Sequence, residues 1–465
     1  MPCAQVPVEI WQTIFLLLSQ TETTPEFDED EFNCWGRKPQ TSSRQPLILP
    51  RTPSLLSQVC HQWREYAYGM PFLWDTLFVK TPRYISEYNI AQYQGICELA
   101  QRRLTLARSI SLTVGLDAKD DTQFASMIIQ TLLPFSLQWE KVHIYAPPIS
   151  LEQLDNLHAC DIPRLVSLKT VSPMYVPGRI IPHKSTEIPL TDRISTITRL
   201  CTSFPPSADS PVFTFLEELH IQQIRSETLS SMLSLLSSCL RLRTLSISGF
   251  GLTMTQAGSH LPPDSLLTIP TLEVLNLEHP VGRESLLDLL VLPNLRTLFL
   301  CGKCSGGSSQ SILDCISHLK VRSSISSLEH LSISFEMHGL TSPTLVDFLR
   351  DNTSLISLWI DDAYKSLNEP LVTSYLFDAL TQPDNKASAV VCPKLKTLRL
   401  TKCSDFEDSK LIDLMNRRCQ LDRTKEGEES IMKLYMSVRR KVDAKVLEEV
   451  RERRTRGYSI TLDTA

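Results

Sequence analysis

A motif of the form apolar-x-x-apolar-x-apolar returns along this chain and is the strongest signal in it. The clearest copies are Leu216-Glu-Glu-Leu219-His-Ile221, Leu242-Arg-Thr-Leu245-Ser-Ile247, Leu272-Glu-Val-Leu275-Asn-Leu277, Leu295-Arg-Thr-Leu298-Phe-Leu300, Leu328-Glu-His-Leu331-Ser-Ile333, Leu355-Ile-Ser-Leu358-Trp-Ile360 and Leu395-Lys-Thr-Leu398-Arg-Leu400. The alternation that ends each copy is the period of a short strand, so Leu219 and Ile221 face inward while Glu218 and His220 face outward. Stretches at helical spacing follow some copies, as at 285–292, 311–319 and 411–419. Copies start 26, 30, 23, 33, 27 and 40 residues apart, a strand-plus-helix repeat with insertions. One unit cannot cover its own inward pair, so the units must stack, with a parallel sheet on one face and helices on the other.

Weaker copies extend the array at Trp74 to Val79, Ala107 to Leu112, Trp139 to Ile144, Leu165 to Val171 and Ile431 to Met436. Between Ser172 and Pro211 seven prolines and mostly polar residues interrupt the register, predicting a long loop or a broken repeat. The first eighty residues read differently. Ile10, Ile14, Phe15, Leu17 and Leu18 form an apolar stripe on a short helix that Pro7 tolerates at its start. Residues 19–53 lose all periodicity and carry five prolines and the acidic run Glu26 to Glu31, which predicts an exposed insert. A second helix is expected from Ser54 through Leu55, Leu56, Val59, Cys60, Trp63, Tyr66 and Ala67, stopping before Gly69 and Pro71.

Val6-Pro7-Val8-Glu9-Ile10 with Ile14-Phe15, then Leu56-Ser-Gln-Val59-Cys60-His-Gln-Trp63-Arg64 and Pro71-Phe-Leu-Trp74, resembles the F-box motif in the version common in basidiomycete fungi, where a variable insert separates the first helix from the second segment. The resemblance covers about the first 80 residues. It implies three short helices that dock on the Skp adaptor of a cullin-RING ligase, with Pro7, Ile10, Ile14, Phe15, Leu56, Val59, Cys60 and Trp63 divided between that contact and the helical core. The repeat Leu400-Thr-Lys-Cys403-Ser-Asp-Phe406-Glu-Asp408-Ser-Lys-Leu411-Ile-Asp-Leu414 is similar to the cysteine-containing leucine-rich repeats of F-box proteins.

The expected architecture is therefore α/β: a small helical F-box-like domain over 1–80 with the insert at about 19–53, then a curved leucine-rich-repeat solenoid over 81–465. Its loop is at about 172–211 and its C-terminal cap at about 431–465. The implied function is that of a non-catalytic substrate-recognition subunit holding a protein target for ubiquitin transfer performed elsewhere. A leucine-rich-repeat scaffold whose first helices merely cap the array is the alternative.

Composition adds mainly exclusions. A net charge of −5 on 465 residues gives no global attraction to nucleic acid or anionic membrane, and no apolar run approaches a bilayer span. No secretory signal is legible at the start, so a cytoplasmic or nuclear address is expected, with thirteen scattered cysteines reduced. No catalytic motif occurs and no cofactor is expected. Cys301-x-x-Cys304 with Cys315-x-x-His318 approaches zinc spacing, but Cys315 shares a helical stripe with Ile312, Ile316 and Leu319, which favours a buried structural thiol. The acidic run lacks the alternation of a calcium loop. In the tail, Arg439 to Lys441 and Arg451, Arg453, Arg454 and Arg456 accompany an apolar stripe of Val442, Val446, Leu447 and Val450, so they are expected on the wet face of a last helix opened by Asp443, before a strand at 458–462. Outward strand positions would form any target surface. His220, Phe299, Trp359 and Arg399 are the candidates, because exposed aromatic and arginine side chains are the usual anchors of binding.

Overall fold

The computed structural model describes residues 6–21, 47–81, 90–118, 121–172, 196–203, 211–222, 229–248, 266–278, 283–303, 312–325, 328–336, 341–362, 370–382, 390–419 and 431–464. It is an α/β protein with thirteen α-helices among these residues and two compact units, Met1–Leu216 and Glu217–Ala465. The boundary expected near residue 80 lies inside the first unit.

In the first unit, α1 (Val8–Thr21), α2 (Thr52–Val59) and α3 (His61–Tyr68) pack together ahead of a mostly parallel sheet. The single helix expected from Ser54 to Ala67 is broken at Cys60, whose extended backbone ends α2 and whose Sγ accepts from the Trp63 amide at 3.4 Å, opening α3. β1 (Leu47–Leu49) runs antiparallel to β2 (Thr76–Lys80), so the far end of the expected insert is a strand, while its acidic run lies outside the described residues. β2 is joined in parallel by β3 (Leu112–Asp117), β4 (Trp139–Tyr145), β5 (Ser167–Val171) and β6 (Arg199–Thr202), with α4 (Ile90–Ala107), α5 (Thr122–Leu132) and α6 (Pro148–Leu151) between them.

Two expectations are corrected here. The weak copy placed at Ala107 to Leu112 is the end of α4 and the following turn, with Arg108 in the left-handed region, and the strand begins at Leu112. Residues 172–211 are not all loop, because β6 lies within them. Its inward Leu200 is buried opposite Leu168, and the segment is too short for its alternation to stand out.

The second unit holds nine parallel strands in chain order: β7 (Glu218–Ile221), β8 (Thr244–Ile247), β10 (Val274–Glu278), β12 (Thr297–Lys303), β13 (His330–Glu336), β14 (Ser357–Asp361), β15 (Thr397–Cys403), β16 (Lys433–Val438) and β17 (Ser459–Thr464). β9 (Leu267–Thr268) and β11 (Leu290–Val291) form a separate parallel pair. All seven clear motif copies end in strands. Their inward residues are in register and are continued by the weak copy at 431–436, so Leu219, Leu245, Leu275, Leu298, Leu331, Leu358, Leu398 and Leu434 form one buried ladder and Ile221, Ile247, Leu277, Leu300, Ile333, Ile360, Leu400 and Met436 a second. Each such side chain contributes roughly 2 kcal/mol of apolar burial, which only the neighbouring strand and helix make possible.

The helices are α7 (Leu229–Ser238), α8 (Arg283–Leu289), α9 (Ile312–Ser323), α10 (Ser342–Arg350), α11 (Ser374–Thr381), α12 (Asp408–Arg418) and α13 (Ala444–Thr455). From α8 onward each packs on the next. A recurrent device joins them: basic side chains late in one helix donate to carbonyls at or just after the end of the preceding helix. Arg322 reaches Leu287 O (2.6 Å), Arg417 reaches Thr381 O (3.4 Å), Arg418 reaches Leu380 O (3.1 Å) and Arg453 reaches Cys419 O (2.9 Å). Helix ends leave such carbonyls unpaired, and a cation there also complements the helix dipole. The expectation that the tail's basic residues form a wet face holds for Arg439, Lys441, Arg451, Arg454 and Arg456, which are exposed. It fails at Arg453, which is buried because it bonds Cys419 O, Glu449 and Asn416 there. Arg440 is half-buried against Phe406 and Asp408.

Candidate functional site

Two surfaces carry the residues singled out from sequence. The first is the three-helix cluster. Trp11 and Phe15, four apart on α1, face Trp63 on α3, with ring centroids 4.9 Å (Trp11–Trp63) and 5.1 Å (Phe15–Trp63) apart. Phe15 is fully buried and Leu56 nearly so, so these two form the core of the cluster. The Trp74 indole donates to Ala67 O at 2.8 Å, and the buried Arg103 of α4 lies over the Trp74 ring while donating to Thr76 O and Pro50 O, which ties the cluster to β2.

The other side of α1 is apolar and wet. Ile10 is 50% and Leu17 56% exposed, with half-buried Ile14 between them on the same i, i+4, i+7 stripe, and Leu55 and Val59 on α2 are 59% and 60% exposed. Phe72 in the turn Pro71–Leu73, Pro7 and Cys60 are exposed as well. Solvated apolar groups on adjoining helices mark a contact surface more often than a monomer's skin. Of the eight residues proposed for this end, Pro7, Ile10, Val59 and Cys60 thus lie outward, Phe15 and Leu56 inward, and Ile14 and Trp63 between. The sequence places Leu17 and Leu55 on these helices without assigning them, or Phe72, to the contact; helical spacing from Ile10 and Val59 points to the first two.

The second surface is the outward face of the second unit's sheet. His220, Ser246, Asn276, Phe299, Ser332, Trp359, Arg399, Tyr435 and Thr461 occupy one registered row across its nine strands. His220 is buried, with Nε2 2.9 Å from Ser248 Oγ, so it is the least accessible of the four proposed target residues. Phe299 and Trp359 are half-buried and Arg399 exposed. Arg399 stacks between Trp359, 4.2 Å from its ring centroid, and Tyr435, 4.8 Å from its own. Tyr435 was missed, although it fills the same outward slot in the weak copy at 431–436.

Beside this row, the carboxylate of the buried Asp361 accepts from Ser334 Oγ (3.3 Å) and pairs with Lys402 Nζ (3.2 Å). Lys402 has φ +62° within a register shift between Leu400 and Cys403, a bulge that turns its side chain back toward β14.

In the first unit the corresponding outward positions include Phe78, Gly115, His143, Lys169 and Cys201. Burial, then Lys169 and Lys141, pull the His143 pKa down from 6.5 to about 4. The unfolded chain therefore binds a proton between those values that the folded chain refuses, and stability falls as pH falls through this window. The contribution at pH 4 is about 3 kcal/mol. His143→Asn is expected to remove that part of the acid sensitivity, read as a smaller drop in urea midpoint between pH 7 and pH 4 than in the parent chain.

Burial raises the thiol pKa to about 12 for Cys201, Cys239 and Cys392 and to about 11 for Cys419, so these are poor nucleophiles and poor metal ligands at neutral pH. Cys304 of the zinc-like spacing lies outside the described residues, while Cys315 is fully buried and His318 on the same helix is exposed. Among the described residues no group of three or more His, Cys, Asp or Glu is placed to hold a metal, and no helix is long and apolar enough to cross a membrane. No family model matches this chain, and no curated protein is significantly similar to it in sequence.

Proposed function

We propose that the chain is a non-catalytic substrate receptor of a Skp-cullin-F-box type ubiquitin ligase. In this reading α1 to α3 are the F-box, the strand-helix units form a leucine-rich-repeat solenoid, and the outward sheet face of the second unit holds a protein target. The receptor supplies proximity, and other subunits perform the transfer. The observation that carries the reading is the stripe of exposed Ile10 and Leu17 with half-buried Ile14 between them, beside exposed Leu55, Val59 and Phe72, laid over an aromatic core of Trp11, Phe15 and Trp63. Those apolar residues gain nothing from their solvent positions, and a groove lined by an adaptor would bury them.

The test is capture of purified Skp adaptor by the full chain and by the double variant Ile10→Asp, Val59→Asp. Each aspartate places a charge where an apolar anchor would be buried, so affinity is expected to fall at least about 100-fold, or roughly 2.7 kcal/mol. Both positions are solvated in the free chain, so the thermal midpoint should not move. Absence of capture by the parent chain, or equal capture by both, refutes the reading.

A further inference from the structure

The strand register places Arg399 of β15 directly between Trp359 of β14 and Tyr435 of β16. Neighbouring strands lie about 4.8 Å apart, so a flat guanidinium between two rings stacks on both. Both rings are themselves tied down. The Trp359 indole N–H donates to Thr401 Oγ1 at 3.5 Å, and the Tyr435 hydroxyl donates to Asp463 Oδ2 at 2.8 Å.

Stacking occupies the two faces of the guanidinium and leaves its edge, where all five N–H donors lie. Among the described residues Arg399 makes no ion pair and no hydrogen bond, and it is exposed. The adjacent Lys402 is already neutralised by Asp361, held there by the bulge in β15. A clamped, solvated guanidinium with an unused fork fits one class of ligand group: a planar or tetrahedral oxyanion taking two parallel N–H···O bonds. The buried hydroxyl of Ser332 and amide of Asn276, in the same registered row, flank the half-buried Phe299 and give an adjoining polar track.

We infer that Arg399, clamped between Trp359 and Tyr435, is the receptor for an oxyanion carried by a peptide segment of the target. This rests on the proposed target-binding role of the sheet face and adds the chemical class of what is bound. The oxyanion has three sources in a peptide: an acidic side chain, the terminal carboxylate or a phosphorylated side chain.

The experiment probes the full-length protein with a large array of random dodecapeptides in four matched sets: one glutamate each, a free terminal carboxylate, one phosphoserine, or only neutral residues with an amidated end. At least tenfold stronger retention of an oxyanion set over the neutral set is expected, and the leading set identifies the source. Arg399→Lys keeps the charge but loses the planar fork, and Arg399→Gln loses both. Each should erase the preference while adaptor capture and the thermal midpoint stay unchanged. Equal retention of neutral and oxyanion sets, or a preference that survives Arg399→Lys, overturns the inference alone, since neutral peptides lost on Phe299→Ala would still mark a target surface. No retention of any set overturns the target-surface reading with it.

Discussion

Arg418→Met is expected to lower the stability of the second unit by about 3 kcal/mol, within the range for removing one partner of a buried charged network. Arg418 is 3% exposed, and its guanidinium donates to four carbonyls: Leu380 O at 3.1 Å and Val391 O at 3.4 Å from Nη1, Cys392 O at 3.0 Å and Pro393 O at 3.5 Å from Nη2. Three of these belong to consecutive residues. They converge because Cys392 has φ +50°, a left-handed conformation costly for a residue with a Cβ. Methionine fills much of the volume but leaves those oxygens without the charged donor. A hydrogen bond to a charged group contributes about 1.5 to 3 kcal/mol net when taken singly; bonds shared by one guanidinium do not add in full, and the loss of positive charge relieves part of the desolvation cost. For a unit of this size the thermal midpoint should drop by roughly 6 to 12 °C. Arg418→Lys should fall between the two, since one ammonium cannot reach carbonyls on both sides of the guanidinium. A midpoint within 2 °C of the parent for Arg418→Met would show that the carbonyl cluster finds other donors.

That arginine illustrates what the sequence conceals. Ile, Leu and Val at period two announced the strands, since inward positions such as Leu358 and Ile360 are apolar for a reason that a single strand already contains. Arg453 sits in a run of charged residues and reads as solvent-facing, and Arg418 follows a second arginine, with a charge that argues against burial. Their burial depends on carbonyls 25 to 38 positions earlier for Arg418 and 34 for Arg453. The same distance effect hid Tyr435, which matters only because Arg399 lies beside it. The break at Cys60 was hidden for a local reason instead: the thiol accepts the amide hydrogen bond of Trp63, three residues on, which no hydrophobic spacing reveals. At the first helix, one face of the pattern was legible and its meaning was not: Ile14 and Phe15 are adjacent in the motif, yet one borders the wet stripe and the other is core.

Phe15→Ala turns that distinction into a measurement. The fully buried ring meets Trp63 edge-on at 5.1 Å and lies 6.2 Å from Trp11, so truncation removes the centre of the aromatic cluster. A loss of about 3 to 5 kcal/mol is expected for such a deletion. Helices of 14, 8 and 8 residues enclose a core too small to absorb it. The indole N–H groups of Trp11 and Trp63 already lack acceptors among the described residues, which leaves the cluster less margin. Detachment of α1 should follow while the registered leucine ladders of the second unit remain protected. Hydrogen exchange would then show amides of 8–21 opening and those of β8 to β16 unchanged, together with loss of adaptor capture. The double variant Ile10→Asp, Val59→Asp should lose capture with protection of 8–21 intact. The two variants therefore separate a folded helix that has lost its contact from one that has lost its fold. Unaltered exchange in 8–21 after Phe15→Ala would mean that α1 is held by something other than its aromatic core.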